Sequence, residues 1–526
     1  MHIVFRSRPA RALLPALLLL AGCASLPASV QRSASTAFSD TGDTRIGRIV
    51  QAQASTHPGR SGVRALLDAR EAFVARYALA QGADRGIDVQ TYIWRTDTSG
   101  NLLAQALWDA AERGVRVRVL LDDANTGGLD SAIAALDAHP NIEIRLFNPF
   151  ANRTWRLGDF TIAFSRVNRR MHNKSFTVDS QATVVGGRNV GDEYLGAQSP
   201  VAFADLDVLA AGPVAHDVAL EFDRYWNSPS AWPARALLPP APDTFIADTR
   251  RHWQEQRARP SAGAYLEAVS RLHLLAQLLD GTLPYDWVPA RVVSDDPAKV
   301  LQSTDRRDLQ LGPELTADFG HPEHELVLVS PYFVPGPEGT AALAAMARRG
   351  VQVKLLTNSL AATDVGPVYS GYLRYREALL RAGVRVFELK PAAAPLRSDD
   401  DDDDRQRRGM VGSQGGSSSA SLHAKTFAVD RSRIFVGSFN LDPRSARLNT
   451  EMGLVLESPA LAGQLSDAFE GIIPRNAYEL RLEGDQVVWI EQTPDGELRH
   501  TRTPGVGTMR SLWIAFLSVL PIEWLL

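Results

Sequence analysis

The stretch Met171–Asn189, MHNKSFTVDSQATVVGGRN, returns as LHAKTFAVDRSRIFVGSFN at Leu422–Asn440. In each, a His is followed two residues later by Lys, five after that by Asp, then by a Gly pair or Gly-Ser and an Asn. The first set is His172, Lys174, Asp179, Gly186, Gly187 and Asn189; the second is His423, Lys425, Asp430, Gly437, Ser438 and Asn440. From His to Asn the spacing is 17 residues in both, 172 to 189 and 423 to 440. Two unrelated strands would not share that register, so the chain reads as a duplication.

Positions i and i+2 of a strand project from one face, so each copy presents an imidazole and an ammonium to one side. The run then continues through Phe176 and Val178, or Phe427 and Val429, to a turn at the Asp. This set suits phosphoryl chemistry. An imidazole with an ordinary pKa of about 6.5 attacks phosphorus or passes a proton near neutrality. Lys174, Lys425, Asn189 and Asn440 supply donors for non-bridging oxygens. A nucleophile needs a second group to protonate the leaving alcohol, and two copies supply both. Asp179 and Asp430 complete the catalytic motifs and are read as turn anchors rather than as reactive groups. A single copy is equally well read as a solvent-facing strand; two in one register argue against that.

The duplicated His-x-Lys-x4-Asp pattern with its trailing Gly-Gly/Ser-x-Asn resembles the signature of the phospholipase D superfamily. The resemblance implies two tandem phospholipase D-like α/β/α sandwich domains related by a pseudo-two-fold axis, with one active site at their interface. It also implies His172 as nucleophile, forming a phospho-histidine, and His423 as the acid, with neither metal nor cofactor. By residues alone the two His are interchangeable. Tyr92–Gly100 (YIWRTDTSG), Gly186–Tyr194 (GGRNVGDEY), Phe222–Ser228 (FDRYWNS), Ser330–Pro335 (SPYFVP) and the final PIEWLL look like the cardiolipin synthase-like branch. There, a phosphatidyl group moves from one phospholipid to the primary alcohol of phosphatidylglycerol or a related lipid. The implied partners are therefore phosphatidylglycerol, phosphatidylethanolamine and a membrane surface. Two alternatives stay open: hydrolysis, as a phospholipase D or nuclease, and a lipoprotein that binds lipid without turnover.

A further pair of acids emerges from the repeat. Asp205 precedes Pro213, and Glu451 precedes Pro459, by eight residues each. They occupy matching places on a following strand, and each is expected to orient one catalytic imidazole by accepting a ring N–H. Glu193 competes for that role in the first half.

The 526 residues, 45% hydrophobic and 22% charged, are enough for two cores, and a net charge of −4 argues against a nucleic-acid partner. The single cysteine, Cys23, excludes an intramolecular disulfide and a Cys-based zinc site. Arg6, Arg8 and Arg11 precede an apolar run at 12–21, and Leu20-Ala21-Gly22-Cys23 looks like a bacterial lipobox. Residues 1–22 are thus expected to be a signal peptide and Cys23 the site of lipidation. That places the protein in the bacterial cell envelope, facing the periplasm from the outer or inner membrane, Ala24 favouring the outer one. A plain signal peptide or an uncleaved anchor is the alternative.

Residues 23–45 read as a flexible tether and 46–230 as the first domain. Its expected elements are a helix over 62–80, a strand at 87–94, a helix at 101–113, a strand at 115–121, a helix at 129–138 and a strand at 142–147. Residues 231–285, rich in Pro, Ala and Arg, read as a linker or lid. The second domain, 286–475, repeats the order: strand 325–334, helix 340–349, strand 351–357, helix 372–382, strand 384–389. Six consecutive aspartates, Asp399–Asp404, fall in an expected disordered insertion at 398–420, more often solvated than cation-binding. Residues 476–526 read as a hairpin and an apolar tail that either lies in a membrane surface or docks on the domain. The whole is expected to be a monomer with an internal pseudo-dimer.

Overall fold

In the computed structural model of the protein, residues 26–27, 29–197, 201–391, 419–520 and 523 are described. Cys23, the apolar run before it and the aspartates 399–404 lie outside the described residues. Two mixed sheets carry the molecule. The first contains β1 (Ser61–Leu66), β2 (Gly86–Thr91), β3 (Arg116–Asp122), β4 (Ile142–Phe147), β5 (Ser175–Val178), β6 (Ala182–Gly186), β8 (Asp207–Ala211), β9 (Ala231–Pro233) and β10 (Asp286–Val288). Their order is β10-β1-β8-β6-β5-β2-β3-β4-β9, with β2, β3 and β4 parallel. The short strand β7 (Val201–Ala204) stands outside it.

The second sheet contains β11 (Ala290–Ser294), β12 (Glu325–Val329), β13 (Gln352–Asn358), β14 (Arg385–Leu389), β16 (Lys425–Val429), β17 (Arg433–Gly437), β18 (Met452–Leu456), β19 (Ala477–Glu483), β20 (Gln486–Thr493) and β21 (Gly496–His500). Its order, β11-β18-β17-β16-β12-β13-β14 and then β19-β20-β21, repeats the first sheet from β1 to β4 strand for strand. Strand β15 (Ser419–Leu422) leaves the sheet and pairs in parallel with β7, tying the two halves together. Both sheets are covered by helices, as parallel strands buried on two faces require. Helices Ala69–Gly82 and Thr98–Glu112 are each started by an aspartate, Asp68 or Asp97, that accepts backbone N–H groups of the first turn.

The inner faces meet in a shared apolar layer. Val185, Val208 and Ala210 of the first sheet join Val327, Ala428, Ile434, Val436 and Leu454 of the second in one buried cluster. The two-domain α/β arrangement expected from the repeat is thus the arrangement observed.

Three segments differ from expectation. Residues 62–80 are not one helix: Ser61–Leu66 is a strand held between β8 and β10, and the helix begins at Ala69. Ladder pairing on both sides overrides the helical spacing of its apolar residues. Residues 231–285, read as a linker or lid, are packed onto the first domain. β9 closes its sheet, while Trp253, Tyr265, Leu274 and Leu278 enter its core. Helix Asp243–Arg257 there roofs a largely apolar cavity of about 600 Å³ beside Leu107, Val119 and Ile144, whose lining includes none of the motif residues. β10 still belongs to the first sheet and β11 to the second, so the crossing falls at Pro289. Finally, the expected hairpin after 476 carries a third strand, β21, and all three extend the second sheet.

Candidate active site

Each motif begins just ahead of its strand. His172 and Lys174 precede β5, and His423 lies between β15 and β16, whose first residue is Lys425. What fixes these segments is the other half of the chain. His172 N–H donates to Thr450 O at 2.8 Å, and His423 N–H donates to Ala204 O at 2.8 Å. The acceptors are the residues immediately before Glu451 and Asp205. The side chains follow the same exchange. His172 Nδ1 lies 2.8 Å from Glu451 Oε2, and His423 Nδ1 lies 2.6 Å from Asp205 Oδ2. Each acid therefore holds an imidazole of the opposite half. Glu193, the competing candidate, pairs with Arg95 instead. A carboxylate at Nδ1 fixes the Nδ1–H tautomer and leaves Nε2 with its lone pair for chemistry.

The two acids are supported differently. Ser438 Oγ and Ser445 Oγ donate to the two oxygens of Glu451 at 2.5 and 2.7 Å. In the first half, glycine stands where Ser438 stands in the second, for a steric reason: a Cβ on Gly187 would come within 2.2 Å of Asp205 Oδ1. The Gly-Gly and Gly-Ser of the motifs thus serve the acids. The residue before each His is also clamped. Asp122, at the end of β3, accepts Met171 N–H at 2.7 Å, and Asn358, at the end of β13, accepts Leu422 N–H at 2.8 Å. Asp122 is itself bound by the Arg170 guanidinium.

Lys174 Nζ donates to His172 O at 2.5 Å, and Lys425 Nζ donates to His423 O. Asn189 accepts Ile93 N–H at 3.2 Å through Oδ1, while its Nδ2 and the Asn440 Oδ1 are buried without a hydrogen-bond partner. Aromatic edges bound the imidazoles: Tyr92 against His172 at 5.1 Å, Tyr194 and Phe203 against His423 at 5.2 and 5.1 Å.

Asp179 and Asp430 stand apart from these groups. Both sit at positive φ, +50° and +49°, as first residues of the three-residue hairpin loops 179–181 and 430–432, followed by Ser180 and Arg431, also at positive φ. The Asp179 carboxylate accepts N–H from Asp84, Arg85 and Gly86; that of Asp430 accepts from Glu323, His324 and Glu325. They pin the start of β2 and of β12.

The electrostatics couple the two motifs: Lys425 acts on His172 and Lys174, and Lys174 acts on His423. Burial pushes His172 down to about 4, opposed by Glu451 and reinforced by Lys174 and by Lys425 of the other motif. Burial pushes Lys174 down to about 7, again opposed by Glu451 and reinforced by Lys425. His423 and Lys425 are likewise lowered, first by burial. Burial alone would raise Asp205 and Glu451, but the imidazoles and lysines hold both below the ordinary carboxylate range. Burial thus weighs against charge on the imidazoles and lysines, and a bound anionic phosphate would favour their charged forms. Among the described residues, no group of three or more His, Cys, Asp and Glu is arranged for a metal ion.

Tyr92, Asp122, Asn358, Ser445 and the crosswise pairing were not read from the sequence. Asp122 and Asn358 were within reach of it, since GVRVRVLLD and GVQVKLLTN align position for position.

Two matched halves, with a His and a Lys from each at their junction, define a phosphodiester-processing protein of the phospholipase D superfamily. Residues 78–226 and 315–473 match the family described as "Cardiolipin synthase, PLD-like domain". The chain is 44% identical to cardiolipin synthase C of Escherichia coli, across 92% of this chain and 100% of that one. It is 28% identical to cardiolipin synthase A of Pseudomonas aeruginosa, across 82% and 68% of the two. The crystal structure of phosphatidylserine synthase from Haemophilus influenzae shares the fold, with a TM-score of 0.53 at 15% identity over 83% of this chain and 92% of that chain. This protein belongs to the cardiolipin synthase, PLD-like family, and is a phosphatidyltransferase of the phospholipase D type.

Proposed function

We propose that the protein makes cardiolipin, passing a phosphatidyl group between phospholipids through a phospho-histidine. His172 Nε2 attacks phosphorus and forms a P–N bond while the P–O bond to the leaving alcohol breaks. His423, protonated once the anionic phosphate is bound, donates its Nε2 proton to that alcohol. It then takes the proton of the acceptor lipid's primary hydroxyl as that oxygen attacks phosphorus and the P–N bond breaks. Both His residues end as they began. Lys174, Lys425, Asn189 and Asn440 hold the non-bridging oxygens, and Glu451 and Asp205 stabilise the imidazolium forms.

The observation that carries this is the exchange of acids, His172 with Glu451 and His423 with Asp205, which commits both imidazoles to one interface. Water in place of the acceptor would make the same chemistry a phospholipase D. The substrates are phosphatidylglycerol, with phosphatidylethanolamine as a second donor. The site is complete within one chain, so the working unit is a monomer with an internal pseudo-dimer. Acylation of Cys23 would hold it in the envelope facing the periplasm, where such substrates lie.

The test is to incubate the protein with labelled phosphatidylglycerol, with and without phosphatidylethanolamine, and identify the products. Cardiolipin should form, and His172→Ala and His423→Ala should each lower it on the order of 10⁴-fold or more. The covalent phosphatidyl-enzyme should be missing from His172→Ala. Phosphatidic acid as the sole product would assign hydrolysis instead.

A further inference from the structure

Two clusters of exposed apolar side chains stand out, one on each half. In the first, helix Arg156–Ile162 leaves Leu157 67% and Ile162 75% exposed, beside exposed Trp155 and Phe164. In the second, helix Thr508–Val519 buries Ile514 against the core and turns Met509, Leu512, Trp513, Phe516 and Val519 outward, Met509 at 79% and Val519 at 75% exposed. Isolated exposed apolar residues are ordinary on proteins; contiguous sets with aromatics are not.

Both clusters rest on loops that serve the catalytic groups. Phe160 packs on Phe150 at 5.6 Å, and Phe150 lies under the Arg170 guanidinium, two residues before His172. Arg170 also binds Asp122, which holds Met171. On the other side, Ile514 lies over Gly366, and Arg510 reaches Thr363 O at 3.5 Å. Between them, Asp364 accepts from Tyr332 Oη and lies within the electrostatic reach of Lys425. Both loops follow the C-terminal ends of parallel strands, β4 in one sheet and β13 in the other. Each cluster thus backs onto a loop that reaches one motif, the first through Phe150 and Arg170 to the His172 segment and the second through the 363–366 loop to the surroundings of Lys425.

We propose that these two clusters form one membrane-docking surface that seats the catalytic interface on a lipid bilayer, with Trp155 and Trp513 entering the interfacial zone. The inference rests on the phospholipid substrates proposed above, because an enzyme whose donor and acceptor are both bilayer lipids needs its mouth at the bilayer. No helix among the described residues is long and apolar enough to cross a membrane, so this surface lies on the bilayer rather than spanning it. Helix Thr508–Val519 has the build for that, one face docked on its domain and the other apolar with Trp and Phe. Two contact areas, one on each half, would fix the orientation, which a lipid anchor on a long tether would leave free.

The test uses the full chain with vesicles of phosphatidylglycerol and phosphatidylethanolamine whose acyl chains are brominated near the carbonyl. Tryptophan fluorescence should be quenched, and the quenching should fall by at least half in Trp155→Phe/Trp513→Phe at unchanged melting temperature. Equal quenching in both proteins overturns the proposal. So does dimerisation that disappears in Leu512→Ser/Phe516→Ser while the wild type shows no quenching. A second readout separates docking from catalysis. Leu157→Ser/Ile162→Ser and Leu512→Ser/Phe516→Ser should each lower turnover of vesicle lipid about tenfold and leave turnover of monomeric short-chain phosphatidylglycerol unchanged; equal loss on both overturns the docking role. Quenching that fades in the tryptophan variants with no cardiolipin formed supports the surface and removes the proposed reaction.

Discussion

Lys174 is a buried amine whose pKa is pushed down to about 7, chiefly by burial, against about 10.4 in an unfolded chain. Between those values the unfolded state binds the extra proton, so this residue's contribution to stability rises with pH and is fully recovered only above the unfolded value. At or below pH 7 its charge is a cost. Lys174→Met should therefore be inactive yet melt higher than wild type near pH 6.5, by about 1–3 kcal/mol, and the gap should close as pH rises toward 10. A gap that widens with pH in thermal unfolding would show that the amine is not held neutral. Glu451→Gln addresses the neighbouring imidazole. It keeps the shape but loses the charge that stabilises imidazolium, and should lower kcat about 10²–10⁴-fold with little change in KM. The sequence announced the lysines and both acids through their matched spacing. It did not announce Ser445, which donates to Glu451 from six residues upstream and has no marked place in the repeat.

At the scale of elements, the two hairpins β5–β6 and β16–β17 carry the motifs and depend on one aspartate each. Asp179 is nearly fully buried and holds three backbone N–H groups at the entry to β2, whereas Asp430 makes the same three bonds in a more solvated turn. Asp179→Ala should destabilise the protein by about 3 kcal/mol, or roughly 6–12 °C in Tm for a domain of this size, with Asp430→Ala costing about half as much. Since neither carboxylate faces the imidazoles, kcat of the folded fraction should change less than tenfold. A loss of activity comparable to that of the His variants, at unchanged Tm, would return the aspartates to the chemistry. The alternation of strand and helix was readable in both halves because the parallel strands set Val, Ile, Leu and Phe in short runs, most of them alternating with charged or polar residues, between longer segments of helical spacing. Ser61–Leu66 was not. A strand flanked on both sides by partners distant in sequence leaves no local signal, and its Val63, Leu66 and Leu67 mimic a helical face.

Over the whole molecule, the exchange of acids makes the two halves one catalytic unit. The repeat places Asp205 just downstream of the first motif and Glu451 just downstream of the second, so proximity along the chain suggests that each acid serves its own His. The fold answers otherwise, because the strand after each motif begins where the other half's His segment crosses it: Met171 bridges to Thr450, and β15 pairs with β7. A residue-by-residue reading cannot supply this, since it is a property of how two sheets face each other. It is directly measurable. In spectra of the protein with ¹⁵N-labelled histidine, the buried Nδ1–H protons should appear far downfield and exchange slowly. His172→Ala and His423→Ala assign one resonance each. Glu451→Gln should then shift the resonance lost in His172→Ala and leave the other in place, and Asp205→Asn should do the reverse. If Glu451→Gln instead displaces the resonance lost in His423→Ala, each acid serves the His of its own half. The covalent and proton-transfer groups would then no longer be locked to a common interface by their carboxylates, and each half would have to orient its own imidazole.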